Sequence, residues 1–284
     1  MTVGQRCCEA SEAAGESIAA TASYTRNWLV LEVPGTWPRD VSDGAGLPTA
    51  AREALQAWLG RTPASRALFA RQPGPTRAGR HRVFVVRAGD DTAELRRFEL
   101  TELDGLASLD LDGAGEPMNG SLVLVCGHGT RDRCCALRGT AVYGALASAV
   151  GVDDLWISSH QGGHRFAANV LVLPQAVQLG RVSVDAAVRV VGEALDGRVP
   201  LSAYRGRTAY LPEAQAAEFA IRAASGLDRI ADLRLTGIEG ARVSFHDSDG
   251  TGHVAVVERA PGPAVPASCG AEPEAHTVLT ARIV

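Results

Sequence analysis

With 284 residues, 46% of them hydrophobic, and a net charge of -4, the chain is long and apolar enough for one large or two small domains, which excludes disorder as the default. The mild acidity gives no general reason to bind nucleic acid, and no apolar run reaches the roughly 18 to 20 residues of a membrane span. The first 22 residues lack the apolar stretch of a secretory signal, so a cytoplasmic protein with no nucleic-acid or membrane partner is the expectation. All 28 basic residues are Arg, a bias from which no ligand follows.

The opening reads as weakly helical, and its Cys7 and Cys8 as packed thiols. Trp28 to Val33 is an apolar strand stopped by Pro34-Gly35, and Ala50 to Leu59 has helical periodicity up to Gly60. Arg61 to Arg97 holds nine arginines against three acids around two further strands, which suggests a basic patch on the first lobe. The sign then reverses: Phe98 to Met118 has six acids and no base, and reads as an inter-domain linker.

From Leu122 the order becomes strand, helix (Ala136 to Val150), strand (Leu155 to Ser158), strand (Ala167 to Leu173) and helix (Asp185 to Leu195). A further helix runs from Pro212 to Ser225 and ends at Gly226. Short antiparallel strands at Ala241 to Phe245, His253 to Glu258 and Thr277 to Val284 follow, with Cys269 in a Pro/Gly-rich loop as a bystander. The expected fold is α/β: two related lobes with mixed sheets, 1–118 and 119–230, and a small β-rich extension at 231–284.

Two stretches carry chemistry. CGHGTRDRCC offers Cys126, His128, Cys134 and Cys135 after a strand, and SSHQGGH offers His160 and His164 after another. Sulfur with imidazole suits zinc or iron and disfavours magnesium and calcium. Eight residues between Cys126 and Cys135 exceed a zinc-finger knuckle, and Gly162-Gly163 favours a turn over a helix for the two histidines. There is no GxSxG, GxGxxG or CxxC signature, and no acid in the His160 to Pro174 segment for glycoside hydrolysis.

These two stretches, with RCCEASEAAGE, WLVLEVPGTW and YRGRTAYLPEAQAAEFAIR, resemble the sucrase/ferredoxin-like family over roughly residues 5–226. The resemblance implies a thioredoxin-like second domain holding a [2Fe-2S] cluster on Cys126, Cys135, His160 and His164, with Cys134 as the alternative second cysteine. Two imidazoles in place of two thiolates would raise the cluster's potential, and a ring nitrogen left free would couple electron uptake to proton uptake. Beside the ligands, His128 is expected to support the site, Asp132 to accept from a ligand imidazole or pair with Arg131, and Arg165 to meet a partner's carboxylate. The functional expectation is one-electron transfer or redox response with a redox protein partner. The alternative is a zinc-binding Cys2His2 structural or interaction protein; oligomeric state and any enzymatic activity stay open.

Overall fold

The computed structural model describes residues 6–74, 79–90, 92–113 and 115–284, so part of the Arg-rich stretch lies outside the described residues. A short helix α1 (Cys7–Ala13) precedes β1 (Asn27–Glu32), α2 (Thr49–Arg61), β2 (Ser65–Arg71), β3 (His81–Ala88), β4 (Ala93–Leu100) and the two-residue β5 (Glu116–Pro117). The second half is built from β6 (Leu122–Cys126), α3 (Arg133–Leu146), β7 (Leu155–Ser158), β8 (Val170–Leu173), β9 (Val177–Leu179), α4 (Val184–Leu195) and β10 (Tyr204–Arg207). Helix α5 (Pro212–Ser225) leads into β11 (Leu233–Glu239), β12 (Arg242–Asp247), β13 (Gly252–Pro266) and β14 (Pro273–Ile283).

The two halves repeat one arrangement. In the first, β1 pairs parallel with β2 and antiparallel with β3, giving the order β2-β1-β3-β4; in the second, β6 pairs parallel with β7 and antiparallel with β8, giving β7-β6-β8-β9. They do not keep separate sheets. β2 and β7 pair antiparallel through Ala70 with Ser158 and Arg71 with Ile157, which joins everything into one ten-stranded mixed sheet.

β6 is buried at all five positions because both its faces are covered. Val123 and Val125 pack with Val142 and Leu146 of α3 and with Val190 and Val191 of α4. Leu122 and Leu124 join Trp28, Val30, Leu68, Phe84, Trp156 and Leu171 in a cluster drawn from strands of both halves, with no helical residue in it. On the front of the first half, Leu55 and Trp58 of α2 pack on Leu29, Leu31 and Phe69.

The acidic segment is no free tether. Leu106 and Leu111 are buried in the first core, Asp112 pairs with Arg61 and Arg87, and Glu116 pairs with Arg97. The acidic run thus neutralises much of the Arg-rich stretch before it. Strand β2 escapes the sequence patterning because its flanking arginines mask its four buried positions. In the extension, β13 runs on through Pro261 and Pro263, where a loop was expected. Its pairing with β12 ends at Val256, and its register with β14 shifts between Pro261 and Ala264, so the missing proline N–H groups fall on an edge and at an irregularity. This four-stranded antiparallel sheet packs Val243, Phe245 and Ala255 against Ala217 and Ile221 of α5.

Candidate metal centre

Cys126 is the last residue of β6. Helix α3 returns so close to it that a Cβ at Gly139 would stand 2.0 Å from the Cys126 carbonyl oxygen, which excludes any other residue there. The Asp132 carboxylate caps α3 by accepting the N–H of Cys134 at 2.8 Å. Cys134 and Cys135, expected in the loop, therefore occupy the first helical turn.

After β7 the chain turns through residues 159–163 into a short 3-10 turn at His164–Phe166. Gly163 has φ 71°, and a Cβ there would strike the Arg205 guanidinium at 2.7 Å. The turn stacks the rings of His160 and His164 with centroids 3.8 Å apart and planes 17° from parallel. Two guanidiniums hold this loop by its carbonyls. Arg66 donates to His160 O at 2.7 Å and Gln161 O at 3.1 Å, while buried Arg205 donates to Gly162 O and Asn169 Oδ1, both at 2.9 Å. From within, the Gln161 amide donates to Leu124 O at 2.7 Å. Sequence reading did not single out these three: Arg66 is one of many arginines, and nothing local distinguishes Arg205 or Gln161.

One donor atom each from Cys126, Cys135 and His160 lies within 4.8 Å of the other two, and Cys135 Sγ is 3.7 Å from His164 Nδ1. His160 Nδ1 is buried with no hydrogen-bond partner, a costly state unless something binds it. The Cys126 thiol is held well below its ordinary value by a hydrogen bond from Cys135 and then, against the cost of burial, by His160. The same bond, with burial, pushes Cys135 well above its own. Burial and the neighbouring His160 push His164 down to about 4, so its imidazole is neutral near pH 7, as a metal ligand must be. An opening of about 240 Å³ lined by Arg39, Arg66, His128, Arg131 and His160 reaches the centre.

The residues around the ligands make the following contacts. His128 donates from Nε2 to Pro38 O at 2.8 Å and accepts the His160 N–H on Nδ1 at 3.2 Å, so both ring nitrogens are occupied. Arg131 pairs with Asp40 at 3.4 Å, not with Asp132. Arg165 pairs with buried Glu16 at 2.8 Å, so its charge is spent inside the molecule. Cys134 turns away from Cys126 and lies with Cys7, Cys269 and Asp132 in a second cluster. That Cys7 and Cys269 meet there was not legible: they read as a packed thiol and a bystander. Among the described residues, two groups of side chains could hold a metal, and their composition fits zinc as well as iron–sulfur.

Residues 18–206, about two thirds of the chain, match the sucrase/ferredoxin-like family. The chain belongs to that family. Among curated proteins it is similar to Altered inheritance of mitochondria protein 32 of Candida glabrata, 38% identical over 74 residues, or 25% of this chain and 24% of that protein. The protein of the same name from Eremothecium gossypii is 38% identical over 64 residues, covering 22% and 20%. That of Clavispora lusitaniae is 31% identical over 100 residues, covering 32% and 37%. The chain therefore spans about a quarter of the length of the first relatives it matches. No solved structure matches it.

Proposed function

We propose that Cys126, Cys135, His160 and His164 hold a [2Fe-2S] cluster and that the protein transfers single electrons or responds to redox state. The observation that carries this reading is a buried cysteine pair beside a stacked histidine pair, one of whose nitrogens lacks any partner. Membership of a family described as ferredoxin-like supports it. Each half, with its strand–helix–strand and antiparallel hairpin, is read as a thioredoxin-like lobe, the second carrying the ligands. When bound, the cluster supplies a one-electron couple whose potential is raised by histidine ligation. The chain's own residues do the rest: Arg66 and Arg205 offset the buried thiolates, and a ligand ring nitrogen left free would couple electron uptake to proton uptake. The donor or acceptor is proposed to be another redox protein reaching the Arg-lined opening. Six free cysteines suit a reducing compartment such as the cytoplasm.

A second reading, one zinc ion on the same four side chains, is favoured by compactness. Three of the four donors, from Cys126, Cys135 and His160, lie within 4.8 Å of one another, which matches the span around a single ion better than that across two irons. Anaerobic purification after growth with iron separates the two. The cluster predicts red-brown protein with about two iron and two acid-labile sulfides per chain, all lost in Cys126→Ser. Colourless wild-type protein that loses about one zinc per chain in Cys126→Ser establishes the second reading instead.

A further inference from the structure

Cys134 serves a different place from its neighbour Cys135. Its sulfur lies 3.5 Å from Cys7 Sγ and 3.5 Å from Cys269 Sγ, and the latter two are 3.7 Å apart. Asp132 supplies a fourth corner, with both oxygens 3.8 Å from Cys7 Sγ and Oδ1 3.4 Å from Cys269 Sγ. These donors come from α1, from the cap and first turn of α3, and from the turn between β13 and β14.

Zn–S bonds of about 2.3 Å at tetrahedral angles place sulfurs about 3.8 Å apart, and a Zn–O bond of about 2.0 Å places an oxygen about 3.5 Å from each sulfur. The spacings among Cys7, Cys134, Cys269 and Asp132 match those edges to within roughly 0.3 Å. A disulfide would draw one pair to about 2.05 Å and leave the third sulfur idle, whereas this triangle has no favoured pair. The carboxylate is prepared as a ligand would be. Its oxygens accept the N–H groups of Cys134 and Cys269, each at 2.8 Å, which orients it and leaves lone pairs for the sulfur side. A buried carboxylate facing three thiols is otherwise a costly arrangement.

We propose that Cys7, Cys134, Cys269 and Asp132 form a second, closed zinc site, separate from the Cys126 centre. Binding releases the three thiol protons to solvent and leaves a net charge of about -2 on the metal and its ligands, set at the positive end of α3 and near Arg138. The ion staples α1 and the C-terminal sheet to the turn that presents Cys135, so it braces one ligand of the first centre without taking part in it.

The test uses the full chain carrying Cys126→Ser and His160→Ala, which empties the first centre, grown with zinc. Elemental analysis is expected to find about one zinc per chain, and cobalt replacement to give thiolate charge-transfer and tetrahedral visible bands. Adding Cys269→Ser, on the partly buried turn between β13 and β14, should lower bound zinc at least tenfold with an unaltered far-UV circular dichroism spectrum. The proposal is overturned if the emptied variant carries no zinc, if zinc survives both Cys7→Ser and Cys269→Ser, or if non-reducing mass spectrometry of fresh protein shows two of the three cysteines disulfide-linked. Zinc retained here while the first centre proves vacant in the wild type defeats the cluster reading alone.

Discussion

The two halves of the large sheet share a strand order and differ in what their strand ends carry. β1 runs out into Val33, Pro34 and Gly35, and β2 into Gln72; the equivalent β6 and β7 run out into Cys126 and His160. The first half keeps the scaffold and gives up the chemistry. It still serves the site, since the Pro38 carbonyl anchors His128 and Arg66 holds the His160 loop. One arrangement can therefore be inert or functional according to a few residues at its strand ends, with the inert copy acting as a brace.

The sharpest way to break this comparison is to alter one strand in each half. Cys126→Ser should reduce metal at the first centre at least tenfold, whereas Leu31→Ala in β1 should cost about 2–5 kcal/mol in urea unfolding while leaving metal per folded chain unchanged. Equal loss of metal in both variants would erase the division of labour. Next in size is Arg205→Ala, which strands the Gly162 and Thr21 carbonyls and the Asn169 side chain in a buried setting; about 3 kcal/mol should be lost, against about 1–2 kcal/mol for Arg66→Ala.

A pH series, read as the difference between the wild type and His164→Gln, probes the second half. His164 is held at about 4, below its ordinary value, so the folded metal-free protein disfavours its protonation. The stability it contributes is complete above about pH 6.5 and is lost as the pH falls toward about 4, roughly 3 kcal/mol in all. Chelator-stripped protein unfolded in urea at pH 7 and pH 4.5 should show this slope, and His164→Gln should flatten it. The smallest effect belongs to the contact between halves. His128→Ala removes the hydrogen bonds to Pro38 and His160 and should cost about 1–2 kcal/mol, with the metal retained.

Much of the fold was legible. β1, α2, the strand at 122–125 and α5 follow from apolar runs, helical periodicity and the Pro212 and Gly226 boundaries. β2 was not, because its sequence alternates little and its burial comes from lying between β1 and β7. The ion pairs of the acidic segment with Arg61, Arg87 and Arg97 were not legible, because charge pattern says nothing about a partner across the chain. At the site, residue type and glycine-bearing loops were enough to nominate the cysteines and histidines, but not the arginines that hold the loop.

The sequence by itself determined the candidate donor chemistry, sulfur and imidazole at two strand ends, because donor type and the turn-forming glycines between His160 and His164 are local properties. Only the tertiary structure decided how the six cysteines divide. Asp132 starts α3 early, so the helical turn points Cys135 toward Cys126 and His164, while Cys134 faces sulfurs 127 and 135 residues away in sequence. Such separations come together only when α1 and the β13–β14 turn pack on one helix end, and no local pattern encodes that meeting.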